Sequence, residues 1–200
     1  MQKTDLNKEL RQYYRARSTP ELITIAPGQF LTVEGSGDCN AGEFRSKIKT
    51  LLATASNVRK ISKLQGNDFR IPALEGYWWA NSGEPLPGVT ATEWNWKLAI
   101  QMPAFVSRGD CRQAAALAGN KKLPFLDALR FEAMPPALAV QLLHTGSYFE
   151  EEASVARLHQ YIRQHHLEVN GVHHEIYLND PGKTPPDKLK TILRLNVKAG

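Results

Sequence analysis

Residues 137–197, ALAVQLLHTGSYFEEEASVARLHQYIRQHHLEVNGVHHEIYLNDPGKTPPDKLKTILRLNV, decide the fold. ALAVQLLHTGSY is an apolar, β-rich run that closes in a glycine turn. Residues 150–165 then place Val155, Leu158, Tyr161 and Ile162 at helical spacing, and VHHEIYLND and LKTILRLNV are two further extended runs. The order is βαββ. Between the last two strands, DPGKTPPDKLKT reads as a rigid turn, because Pro181, Pro185 and Pro186 fix φ there.

The same order stands toward the N-terminus. ELITIAPGQFLTVEGSG (21–37) is one extended segment interrupted at Pro27 and Gly28. Residues 40–64 put Phe44, Ile48, Leu51, Leu52, Ala55, Val58 and Ile61 three and four apart, which is one long helix with Asp38 or Asn40 as its N-cap. DFRIPALEGYWWA and TEWNWKLAIQMPAFV form a hairpin across NSGEPLPG. VEGSGD precedes the first helix as LHTGSY precedes the second, and LEGYWW echoes HEIYL with Glu75 and Glu175 in matching places. The expectation is an α+β fold of tandem βαββ repeats, with pseudo-twofold symmetry around a ligand groove and helices on the outer face. It divides into an arm at 1–20, helical from Asp5 to Arg17, a first half at 21–106, a connector at 107–136 with a helix from Arg108 to Ala118, and a second half at 137–200.

Composition narrows the class. Of 200 residues 42% are apolar and 22% charged, which excludes a disordered or collagen-like chain. No run of about 18 uncharged apolar residues occurs and the first twenty residues lack a signal peptide's apolar stretch, so a cytoplasmic protein without a membrane partner is expected. Cys39 and Cys111 are too few for a disulfide scaffold or a thiolate zinc site. The net charge of +5 is dispersed along the chain, and nucleic acid is not the expected partner.

On an extended strand His173, Glu175 and Tyr177 share one face, and His174, Ile176 and Leu178 share the other. The second trio is expected against the helices. Glu175 then points into the groove between a histidine and a phenol, where desolvation raises its pKa toward that of a general acid or base. Against this stands a plain strand glutamate paired with Lys190 or Arg194. Tyr77, Trp78, Trp79, Trp94, Trp96, Phe105, Tyr148 and Tyr177 fall in strands or at their ends. Taken singly each suits the core, but four tryptophans within 78–96 exceed what one small sheet face needs, and a ligand cage is the second reading. The HHE string invites a metal, yet its histidines lie on opposite strand faces and no HExxH or Cys/His ligand pair accompanies it, so no metal or other cofactor is expected. GSGD (35–38) lacks the ending of a phosphate loop, and neither a GxSxG elbow nor a cysteine with a histidine partner is present.

LHTGSYFEEEASVARLHQYIRQHHLEVNGVHHEIYLNDPGKTPPDKLKTILRLNV, VEGSGDCN, ISKLQGNDFRIPALEGYWWA and WNWKLAIQMPAFVS together resemble the stand-alone GyrI-like small-molecule-binding proteins over almost the whole chain. One departure is Cys39, where the family turn has proline. The resemblance implies paired βαββ units around an aromatic groove with an acid inside. The HHEIYL and LEGYWW strings are similar to a subfamily that hydrolyses cyclopropanoid DNA-alkylating compounds. It implies Glu175 as general base, Tyr148 as hydrogen-bond donor to a ligand carbonyl, and Glu75, Trp78, Trp94, Phe105, His173 and Tyr177 as ligand-binding residues for planar hydrophobic or cationic xenobiotics. The alternative is a non-catalytic sequestering module, or a protein that acts on gyrase. With no helix-turn-helix segment ahead of the domain, a transcription regulator is not expected.

Overall fold

The computed structural model describes residues 3–83, 88–119 and 122–200. In chain order its elements are α1 (Leu6–Glu9), α2 (Arg11–Tyr14), β1 (Glu21–Ile25), β2 (Gly28–Ser36), α3 (Gly42–Leu64), β3 (Leu74–Ala80), β4 (Trp94–Met102), α4 (Arg108–Gly119), β5 (Arg130–Met134), β6 (Ala137–Thr145), α5 (Glu152–Gln164), β7 (Leu167–Tyr177) and β8 (Lys190–Ala199). The βαββ order occurs twice, as β2–α3–β3–β4 and β6–α5–β7–β8. The expected connection NSGEPLPG lies partly outside the described residues. No helix among the described residues is long and apolar enough to cross a membrane.

All eight strands join one antiparallel sheet in the order β1-β6-β8-β7-β3-β4-β2-β5. The extended segment 21–37 is therefore two strands, separated at Pro27, which has no N–H to continue a ladder. β1 pairs with β6 and β2 with β4 and β5. Two residues, Ala26 and Pro27, link β1 to β2, and another two, Pro135 and Pro136, link β5 to β6. Each link spans at most about 11 Å, three steps of about 3.8 Å. In a flat sheet the linked strands would stand six spacings apart, about 29 Å. The sheet must curl until its edges meet.

The curl gives the sheet an inner and an outer side. On the outer side α3 lays Leu51, Ala55, Val58 and Ile61 on Leu31, Val33, Trp96, Leu98 and Ile100. There α5 also lays Leu158 and Ile162 on Val140, Leu142, Leu193, Leu195 and Val197. α4 flanks α3, with Asn57 Nδ2 donating to the Ala114 carbonyl at 3.2 Å. On the inner side the N-terminal arm buries Leu6, Tyr13 and Tyr14 among Phe30, Ala99, Ile176 and Ile192. The trio containing His174 and Ile176 thus meets the arm and not the long helices, so the expected side assignment is reversed: the hollow of the sheet is filled by its own N-terminus. Ala41, not Asp38 or Asn40, is the N-cap of α3, because Asp38 Oδ1 instead accepts the Asn40 N–H at 2.8 Å in a turn ahead of the helix.

Candidate functional site

β3 and β7 lie side by side in the middle of the sheet, in the gap between the α3 and α5 packing clusters. Strand alternation sends His173, Glu175 and Tyr177 from β7 to the outer side, and the register sets Trp78 opposite His173. Tyr177 Oη donates to Glu175 Oε2 at 2.7 Å and accepts from Trp78 Nε1 at 3.2 Å. His173 Nε2 donates to Glu175 Oε1 at 3.1 Å. Only 14% of the Glu175 side chain is exposed. This Glu175 is not the solvated strand glutamate of the plain reading, and its partners are not Lys190 or Arg194.

The aromatic wall is built from both halves. Phe44, in the first turn of α3, stands 5.6 Å from the Trp78 ring and meets Trp96 edge-on at 4.8 Å. Trp94 meets Trp78 edge-on at 6.0 Å and holds its own position by donating from Nε1 to the Val89 carbonyl. Tyr148 meets Tyr177 edge-on at 5.7 Å from a single 3-10 turn before α5. Ser147 and Glu150 cap that turn reciprocally, which fixes where Tyr148 and Glu151 project.

Glu151, the N-cap residue of α5, is 8% exposed, and its Oε1 is buried without a hydrogen-bond partner. Burial first, then the charge of Glu175, pushes its carboxyl up to about 9, so it holds a proton at neutral pH. Burial, Glu175, Glu151 and Asp180 push the Tyr148 phenol up to about 12. Burial, followed by Glu175, raises Tyr177 well above the usual phenol range. Burial is also the main cause that raises the Cys39 thiol, with smaller contributions from Asp38 and Glu175. The cluster offers a carboxylate acceptor, a neutral carboxylic acid and two phenol donors beside indole faces.

Six of the expected residues gather here: Glu175, His173, Tyr177, Trp78, Trp94 and Tyr148. Two do not. Glu75 pairs with Ile176 while Gly76 pairs with Glu175, so Glu75 faces the inner side. It is fully buried there, accepting from Tyr13 Oη at 2.7 Å and His174 Nε2 at 2.9 Å, with Tyr14 Oη at 3.2 Å. It is therefore not a ligand-binding residue of this cluster. Phe105 lies in the turn beyond the far end of β4, which stops at Met102 before Pro103, and its ring packs 6.0 Å from Phe69. The sequence reading missed Glu151 and gave Phe44 only a place in the helical pattern of residues 40–64. The only sign of Glu151 was its spacing of three from Tyr148 across a helix start.

Two concavities of about 460 and 450 Å³ lie elsewhere, one lined by Lys3, Asp5, Lys8, Glu9 and Arg70, the other including Tyr77, Trp79, Lys97 and Met134. Neither contains Glu175; the first does hold an acid with an unpartnered buried oxygen, Asp5 Oδ1, but its Oδ2 lies 3.8 Å from the Arg70 guanidinium and no aromatic ring lines that concavity, so chemistry and not volume selects the Glu175 cluster.

Residues 18–198 match the GyrI-like small molecule binding domain. An uncharacterized conserved protein from Listeria innocua shares 33% identity with the chain, over 98% of this chain and all of that one, at a TM-score of 0.90. A hydrolase from the same organism shares 32% identity over the same extents at a TM-score of 0.88. The C-terminal domain of EcmrR, 13% identical over 91% of this chain and 98% of its own, shares the fold at a TM-score of 0.58. No curated protein gives a significant match. The family match over nearly the whole chain, together with the two relatives at about one third identity, shows that this protein belongs to the GyrI-like small-molecule-binding family.

Proposed function

We propose that the Glu175 cluster binds planar hydrophobic or cationic xenobiotics and hydrolyses cyclopropanoid DNA-alkylating compounds. The observation that carries this is the Glu175 carboxylate, 14% exposed and held by Tyr177 and His173 against the Trp78 indole. Trp78, Trp94, Tyr177 and Phe44 supply ring faces and edges for a flat ligand. Phe105 has no part in that contact. The relative described as a hydrolase supports the catalytic half of the reading.

In the reaction, Glu175 takes a proton from water and the oxygen attacks a cyclopropane carbon. The strained carbon–carbon bond breaks, and its electron pair passes through the conjugated ring to the carbonyl oxygen. Tyr148, kept protonated by its raised pKa, donates to that oxygen, and the proton held by Glu175 replaces the one lost. The net change is addition of one water, with no cofactor needed for balance. The free cysteines Cys39 and Cys111 suit the reducing cytoplasm as the place of action.

The test is to incubate the protein with a cyclopropanoid compound and follow a water-added product by mass spectrometry. Glu175→Gln is expected to abolish turnover and to leave binding within about tenfold. Ligand retained unchanged by the wild-type protein would instead favour sequestration. That second reading is supported by a carboxylate already satisfied by two donors, which serves as a fixed counter-charge for an organic cation.

A further inference from the structure

Glu151 is the one acid of the cluster for which the reaction above has no use. It is more than nine-tenths buried, and its Oε1 meets no donor. An acid so placed is costly to bury unless a proton or a cation completes it. Glu151, His173 and Glu175 each bring one donor atom within 4.8 Å of the other two. They come from the start of α5 and from alternate positions of one strand, so two separate elements fix the triangle.

Chemistry sets the class of cation, one pair already has the spacing, and the triangle as a whole, up to 4.8 Å across, closes by movement of the Glu151 side chain on binding. A tetrahedral ion with bonds of about 2.0–2.1 Å sets its ligands about 3.3 Å apart. His173 Nε2 and Glu175 Oε1 already stand 3.1 Å apart. Tyr177 Oη occupies Glu175 Oε2, leaving Oε1 toward the imidazole, and so provides the outer hydrogen bond that orients a ligating carboxylate. One imidazole nitrogen and two carboxylate oxygens suit a borderline transition ion better than the oxygen-only shells of calcium or magnesium. His174, on the opposite strand face, takes no part, which answers the objection drawn from the HHE string.

We propose that Glu151, His173 and Glu175 form a binding site for a divalent transition-metal cation of the zinc class, with its fourth position open. On binding, the His173 proton moves from Nε2 to Nδ1, and Glu151 gives up its own. The groups facing the site are Tyr148 and Tyr177, both neutral phenols, the Cys39 thiol, and His159 on α5, an imidazole kept neutral mainly by burial. The Thr191 hydroxyl also neighbours Glu151 and favours its ionised form, an effect that ranks behind burial and the charge of Glu175. A bound ion occupies Glu175, so metal and its use as a base exclude each other. The metal site itself stands whether or not any organic ligand is hydrolysed.

The experiment uses the full chain, stripped with a chelator and titrated with Co²⁺ by absorption and with Zn²⁺ by calorimetry, with no organic ligand present. One equivalent should bind, with the intense visible bands of four- or five-coordinate cobalt. Glu151→Gln and His173→Ala should each weaken Zn²⁺ binding at least tenfold, while the surface variant His166→Ala should leave it unchanged. A spectrum that stays that of hydrated cobalt overturns the site, as does binding that survives both substitutions. Should Glu151→Gln fail to fold, as judged by circular dichroism, the wild-type spectrum and His173→Ala decide. Turnover measured on chelator-treated protein reports separately on the hydrolase proposal.

Discussion

Gly76 lies directly across the β3–β7 ladder from Glu175, and a Cβ on Gly76 would stand 2.7 Å from both Trp78 Nε1 and Tyr177 Oη. The hydrogen bond joining those two side chains passes over the space that the missing Cβ leaves. Gly76→Ala is therefore expected to break the Trp78–Tyr177 contact and release one donor from Glu175. Overpacking of this kind costs about 1–3 kcal/mol. Urea unfolding should show that loss, and ligand affinity measured by tryptophan quenching should fall about tenfold or more. A neutral result in both would mean that the indole and phenol do not need each other.

Glu75 should behave as a structural residue. It is the buried acceptor that ties the N-terminal arm into the sheet through Tyr13 and His174, while the Arg194 guanidinium lies 4.3 Å over the Tyr13 ring and donates to Gln141 Oε1. Glu75→Ala strands buried donors and is expected to cost about 3–5 kcal/mol in chemical unfolding. Glu75→Gln, where it folds, should keep ligand affinity within about threefold of wild type. A large affinity loss in that variant, with stability intact, would return Glu75 to the ligand site.

Trp94→Ala and Phe105→Ala separate the cage from its surroundings. Trp94 meets Trp78 edge-on, whereas Phe105 meets Phe69 away from the cluster. An aromatic pair is worth about 0.5–1.5 kcal/mol beyond its buried area, which is roughly two- to twelvefold in affinity. Isothermal titration with a planar cation should show a loss of that size for Trp94→Ala and none for Phe105→Ala.

Acid sensitivity has an assignable contribution at the start of α4. The Ser107 hydroxyl donates to Asp110 Oδ2 at 2.6 Å, with Gln65 Nε2 and the Ser107 N–H as further donors. Chiefly through Ser107, and despite some burial, these hold the Asp110 carboxyl below its usual range. A lowered folded-state value means the unfolded chain binds the proton more readily. The stabilisation is present above the unfolded carboxyl value of about 3.9 and is lost as pH falls through the lower folded one. Asp110→Asn should lower the melting temperature at pH 7 and flatten its fall below pH 4. A parallel offset at all pH values would remove Asp110 as the cause.

Much of the architecture was legible because period-two and period-three-to-four patterns report directly on strands and helices. The two βαββ runs, the α3 and α5 helices and the β3–β4 hairpin all follow from such patterns. The grouping of His173 with Glu175 and Tyr177 followed from alternation alone. Alternation does not say what covers a face, and here the arm with Tyr13 and Tyr14 took the place expected for the helices. The echo between Glu75 and Glu175 was real in sequence, but the register offsets them by one residue and so places them back to back. Glu151 sat inside the run Glu150–Glu152, which reads as a solvated first turn, and only tertiary packing singles out its middle member for burial.

The two-residue links that draw the sheet edges together also impose a timetable on synthesis. β1 is made more than a hundred residues before its pairing partner β6, so Glu21–Ile25 waits without a neighbour. A nascent chain interrupted before Ala137 carries an unpaired strand that other molecules can extend. Synthesis of β6 is what covers that strand.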